Sequence, residues 1–169
     1  MAQTQAAHNP LLAQLQWVHD MVRRDLAAVR ELAREVSRGA PASGIQEGVR
    51  GLQTRGGLFQ LRVNCLRYCA FVHEHHTNED VALFPAVRRS APQLNATVDR
   101  LEADHRVVGG LLDEIEATAR VLDGDDTAAR TRLVEALETL SAHLLEHLAF
   151  EEKALAPVLA SWKTWPFHG

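Results

Sequence analysis

The phrase His-x3-Glu occurs twice in this chain, each time in the same company. His75, Glu79, Asp80, Leu83 and Pro85 match His147, Glu151, Glu152, Leu155 and Pro157 in order, each pair separated by the interval that takes 75 to 147. On a helix, residues four apart leave one face a turn apart, so imidazole and carboxylate converge on one point. Chance supplies one such pair. Two with the same acidic neighbour, leucine and proline describe a repeated unit with metal-ligand spacing.

The rest of the chain supplies helices to carry that unit. Pro10 opens the first, at a position where its missing N–H costs nothing. Leu12, Leu15, His19, Val22, Leu26, Val29, Ala33 and Val36 then recur in three-four steps, a bundle seam containing one histidine. Gly39 to Gly44 is a turn-rich link that continues to Gly56-Gly57, so the second helix is expected from Leu58 to Arg89. Its seam is Leu61, Cys65, Tyr68, Val72, His75, Glu79, Ala82 and Ala86, with Pro85 kinking or stopping it near its end. Ser90-Ala91-Pro92 caps a third helix with the seam Val98, Leu101, His105, Val108, Leu112, Ile115, Ala119 and Leu122. Asp123-Gly124-Asp125-Asp126 is a turn and an N-cap. The fourth helix follows to about Ala160, with the seam Leu133, Leu137, Leu140, Leu144, His147, Glu151, Ala154 and Val158.

His19, Val22 and Leu26 also match His105, Val108 and Leu112, so the chain reads as two helical hairpins of one plan. The expected fold is all-α, an antiparallel up-down-up-down four-helix bundle over residues 10–160. Residues 1–9 are expected as a disordered lead and 161–169 as a tail. Its Trp162, Trp165 and Phe167 are expected to fold back over one end of the bundle.

Composition narrows the function. Alanine and leucine dominate and aromatics make up only 5%, which favours helix over sheet. A net charge of −4 gives no clustered positive surface for phosphates, so no nucleic-acid partner is expected, and Arg23-Arg24 and Arg88-Arg89 read as solvated pairs. No run of about 18 apolar residues appears, so no membrane partner is expected. Residues 1–10 lack a basic start and an apolar middle, so a cytoplasmic location is expected. Cys65 and Cys69 are too few for a four-thiolate cluster and fit a buried helical face.

In such a bundle His19, His75, Glu79, His105, His147 and Glu151 reach one depth, at a rise of ~1.5 Å per residue. They form a single inward layer. One histidine in an apolar seam is ordinarily a hydrogen-bonded core residue. Two glutamates buried beside four histidines must either take up protons or neutralise cations, and two metal ions do the latter. Imidazole and carboxylate suit iron, manganese or zinc. Four His and two Glu exceed one tetrahedral zinc and suit two ions bridged by both carboxylates.

With these motifs the chain resembles the hemerythrin-like, or HHE cation-binding, family from about Leu11 to Leu159. The resemblance rests on His75-His76-x2-Glu79-Asp80-x2-Leu83-Phe84-Pro85 and His147-x3-Glu151-Glu152-x2-Leu155-x-Pro157, with His19 and His105 in order. It implies a non-haem di-iron centre bridged by the glutamates, which in oxygen-carrying members binds O2 at an open iron. Oxygen carriers have a second histidine four residues after the first on the third helix; here Gly109 stands there, followed by Gly110. The pair either opens space beside His105 or packs closely against a neighbouring helix. A fifth nitrogen is available from His143, one turn before His147, or from His76, with His143 the nearer to the expected seam. Asp20 and Asp104 neighbour the single histidines, as orienting acceptors or as surface charges; Tyr68 is either core or pocket lining, and His73 an outer or exposed residue.

The expected function is binding of O2 or a related small ligand for sensing, delivery or storage. A di-iron enzyme handling peroxide or nitric oxide in stress defence, fed by an electron donor protein, is the alternative, and an iron sensor or structural metal bundle the third reading. No catalytic residue stands out.

Overall fold

The computed structural model describes residues 8–38 and 47–167, with side chains from residue 56 onward in the second stretch. Among them there is no strand. The long helices are α1 (Pro10–Ser37), α2 (Glu47–Asn78), α4 (Asn95–Arg120) and α5 (Thr127–Ser161). Between α2 and α4 come a π-helical turn, Glu79–Leu83, the short helix α3 (Phe84–Ser90) and a 3-10 turn, Pro92–Leu94. Each long helix packs on two others, in the cyclic order α1, α2, α4, α5, which makes a helical bundle. The first and last helices touch at positions 9 and 156, 19 and 152, and 30 and 138.

Local chemistry sets several of the ends. Asn9 caps α1 by accepting from the Leu12 N–H, and Asp126 caps α5 by accepting from the Ala129 N–H at 2.9 Å. The Arg62 guanidinium donates to the Ala119 and Leu122 carbonyls and closes the C-terminal end of α4. Tyr68 is buried and donates its hydroxyl to the Val22 carbonyl, so it belongs to the core. Cys65 and Cys69 are fully buried free thiols, and burial pushes the Cys65 thiol up to about 12, which keeps it protonated.

Two expectations change. The second helix begins at Glu47 and runs through Gly56-Gly57, residues expected as link; Gly57 lies against α1, where an added Cβ would meet Val36 at 3.6 Å, and Gly56 has open space at its Cβ position. The same helix does not run unbroken to Arg89. Pro85 has no N–H and its ring crowds the carbonyl four residues back. The wide turn before it, closed by the Phe84 N–H on the Glu79 carbonyl, takes up that crowding. The turn inserts one residue, so burial slips by one: Ala82, an expected seam member, is half-buried, while Leu83 and Phe84 are buried.

The core has two apolar halves. One joins Val22 to Ala33 of α1, Leu58 to Val72 of α2, Val108 to Ala119 of α4 and Leu133 to Leu148 of α5. The other joins Leu11 and Leu15, Leu83 to Ala91, Val98 and Leu101, and Leu155 to Leu159. On all four helices the histidines and glutamates of the repeat fall at the junction of the halves. Trp162 and Trp165 of the tail pack on the second half, as expected of a returning segment. The expected disordered lead lies largely outside the described residues, as do the link Gly39 to Gly44 and His168. No described helix is long and apolar enough to cross a membrane.

Candidate metal centre

The junction layer contains His19, His76, Glu79, His105, His147 and Glu151, all buried, with His75 at its edge. Two groups of potential ligand atoms lie within 4.8 Å of one another: His19, His75 and Glu79, and His76, Glu79, His105 and His147. Glu79 belongs to both. Glu151 joins through His147, whose Nε2 lies 3.2 Å from Glu151 Oε2. All six residues expected from the seams therefore meet.

Of the two histidines available as a fifth nitrogen, His76 is in the layer and His143 is exposed on the outer side of α5. Helical angle explains this. At about 100° per residue, Glu79 falls between His75 and His76 around the helix axis, so each histidine flanks it on one side. The expectation that favoured His143 needs an interior limited to one narrow stripe, and the second helix presents a wider arc. The His76 ring stacks on that of His105, 3.8 Å between centroids, and Phe84 also stacks on His105, at 5.1 Å.

Outer carboxylates fix three rings. His19 Nδ1 lies 2.8 Å from Glu152 Oε1, His105 Nδ1 2.8 Å from Asp80 Oδ1, and His147 Nδ1 3.3 Å from Asp104 Oδ2. A carboxylate accepts, so each Nδ1 donates and each Nε2 is turned to the interior, bare on His19 and facing one another on His105 and His147, the orientation that binds metal. Arg23 holds Glu152 from outside, at 2.8 Å. Asp80 and Glu152 are the paired acidic neighbours of the repeat, and each reaches the single histidine of the other hairpin. The sequence showed the pairing of these acids, but their targets depend on which helices adjoin. The acids adjacent to the single histidines do otherwise: Asp20 accepts from Arg23, and Asp104 serves His147 rather than His105. His73 faces Asp113 at the surface, away from the layer. Gly109 and Gly110 have open space where a Cβ would stand, so close packing does not account for them.

The electrostatics of the layer are those of a site built for cations. Burial, with His19 adding to it, pushes His75 down to about 4; burial and His147 push His105 down to about 3. Burial also lowers His76 strongly. These imidazoles are neutral, as metal ligation requires. Burial and the facing Glu151 raise the Glu79 carboxyl well above its ordinary range; Glu151, with Glu79 and His147 outweighing its burial, stays ionised. Of the two facing carboxyls Glu79 is thus the readier to take up a proton.

The decisive fit is in the unpaired atoms. His19 Nε2, His75 Nε2, His76 Nε2 and both oxygens of Glu79 and of Glu151 are buried without a hydrogen bond; among the described residues only Arg130 Nε shares that condition. His75 Nε2 comes within 3.2 Å of Glu79 Oε1 and still forms no aligned bond. Nitrogens bound about 2.1 Å from one ion and at right angles stand about 3.0 Å apart, and His105 Nε2 and His147 Nε2 are 3.0 Å apart. Left bare, seven such atoms at about 1–3 kcal/mol each rival the whole stability of a domain, about 5–15 kcal/mol. Bound cations would relieve that cost.

A family model for the hemerythrin HHE cation binding domain matches residues 11–159. No curated protein and no solved structure matches the chain significantly. With nearly its whole length covered by that model and a buried His/Glu layer that fits metal, the chain belongs to the hemerythrin HHE cation-binding domain family.

Proposed function

We propose that the protein is a di-iron protein of the O2-binding kind, taking up O2 or a related small ligand for sensing, delivery or storage. The observation that carries this reading is the pair of buried ligand groups that share Glu79, with Glu151 beside them and seven inward atoms left bare across the layer. His19 and His75 would hold one ion and His76, His105 and His147 the other, with Glu79 and Glu151 between them. Iron so held supplies reversible electron transfer to a diatomic ligand at whichever ion keeps an open position, and the two-histidine side has fewer protein donors. The contacts of α1 with α5 support the antiparallel up-down-up-down run that this reading uses.

The protein's own part is to orient and to exclude water. Glu152, Asp80 and Asp104 fix three rings with Nε2 inward, and the apolar halves above and below the layer keep bulk water out. The same acids favour a second reading, turnover of peroxide or nitric oxide with electrons from a donor protein. Asp80 and Asp104 are partly exposed and touch buried imidazoles, so they join the layer to solvent protons.

Anaerobic iron loading, with metal counted per chain and the visible spectrum recorded before and after admitting O2, tests both. About two irons per chain and a visible band that forms with O2 and persists support binding. Immediate oxidation without a lasting band moves the weight to turnover. Absence of stoichiometric metal overturns the di-iron reading, and manganese or zinc retained in preference to iron overturns its choice of metal.

A further inference from the structure

Where the layer comes nearest the surface, it meets a recess of about 360 Å³ lined by His75, Asn78, Glu79, Ala82, Leu83, Trp165 and Phe167. His75 is the least buried member of the layer, its side chain 11% exposed, and it is the one that faces this recess. The π turn supplies the inner wall: the one-residue insertion leaves Ala82 half-buried beside Glu79, where an unbroken helix would have turned it into the core. The outer wall comes from the opposite end of the sequence. Trp162 donates its indole N–H to Ser90 Oγ at 3.1 Å, at the end of α3, and Trp165 donates to Gln14 Oε1 of α1 at 2.7 Å. The tail is thus a strap tied at two points, with the Trp165 and Phe167 rings stacked 5.5 Å apart between it and the recess.

The volume exceeds what a diatomic ligand needs. A water takes about 30 Å³ of liquid, and recesses of about 300 Å³ and above accept small organic molecules. Without the strap this would be an open groove ending on His75 and Glu79. The strap is held at the edge of the bundle by side-chain hydrogen bonds, ring contacts and the packing of Trp162 and Trp165 on the second apolar half, none of them within the four-helix interior, so it can release locally without unfolding the bundle.

We propose that the C-terminal strap controls access to the layer, with Trp165 and Phe167 forming the wall that a small molecule must pass to reach the His75–Glu79 edge. What the recess serves rests on the reading of His75 and Glu79 as metal ligands; what the strap does rests on the recess alone.

A reporter thiol placed by Ala82→Cys tests the strap in the full chain whatever its metal content. Its alkylation by iodoacetamide is followed by peptide mass spectrometry, beside the exposed control Ala142→Cys and the buried native Cys65. Adding Trp165→Ala and Phe167→Ala is expected to speed the reporter at position 82 by about fivefold or more, the shift that loss of one hydrogen bond produces. The control at position 142 and Cys65 stay unchanged. An unchanged rate at position 82 overturns the proposal. Should Cys65 also become reactive, the tail variant has unfolded, and Gln14→Ala, which frees only the Trp165 indole, decides: a faster reporter with Cys65 still protected supports the strap, and an unchanged one overturns it. None of these outcomes depends on iron, so the strap can fail while the metal reading stands, and the reverse.

Discussion

Glu79 stands between two histidines that are neighbours in sequence, and that placement gives the end of α2 and its π turn three converging groups where a strict seam gives two. His76→Ala is therefore expected to lower bound metal below about two ions per chain, whereas His143→Ala leaves the count unchanged; metal analysis after dialysis separates them. The orienting acids make a second contrast. Asp80→Asn and Glu152→Gln should each weaken metal binding about 10–100-fold, measured by competition with a chelator, while Asp20→Asn has no effect because Asp20 touches Arg23 and not His19. The single histidines and the two His-x3-Glu pairs were legible because helical spacing alone puts them on one face. His76 was undervalued because spacing does not say how wide the inward arc is. The targets of Asp80 and Glu152 were hidden because each lies on a helix far away in the chain.

The π turn is the element on which sequence and structure part most clearly. Pro85 announced a disturbance near the end of α2, but not its form, because the turn must keep both Glu79 and Phe84 inward and only tertiary packing makes that demand. Pro157 sits at the matching place in the second repeat, and α5 continues past it to Ser161 without a widened turn. The inserted residue keeps the two sides in phase, because Phe84, five residues after Glu79, occupies the face that a residue four on occupies in ordinary α-helix. Deleting the exposed Val81 would close the turn to α-helix with Glu79 and Phe84 both still inward. The expected result is a loss of at most about 3 kcal/mol in denaturant unfolding, the cost of the Pro85 ring against an α-helical carbonyl, with metal still bound. Loss of metal would show that the two sides rotate against each other instead.

At the scale of the whole molecule, a bundle that stacks two apolar halves on a charged layer ties its stability to pH, and the sign differs on the two sides of neutrality. Histidines 75, 76 and 105 are held neutral by burial, two of them down to about 4 and about 3. Each contributes stability that is complete above its unfolded value near 6.5 and is lost as pH falls toward its folded value, because the unfolded chain then binds the proton that the folded one refuses. Glu79 is raised, so its contribution is present below the ordinary carboxyl value and lost as pH climbs through the folded one. His147, raised by Glu151 and Asp104 against its burial, adds to that loss above neutrality, and Asp80, raised to about 6, is partly exposed and adds less. Below 6.5 the three histidines outnumber the opposing groups; above it they are silent and Glu79 and His147 remain. The metal-free protein should therefore melt highest near neutral pH and lower on both sides, each buried site changing stability by about 1.4 kcal/mol per pH unit within its window. Saturating metal keeps Glu79 ionised and paired and every imidazole neutral, so the fall on the alkaline side should vanish. The acid fall should remain, because protons still compete for the ligands. Thermal melts across pH, with and without metal, read both flanks; an alkaline fall that survives metal would show that Glu79 is not neutralised by it.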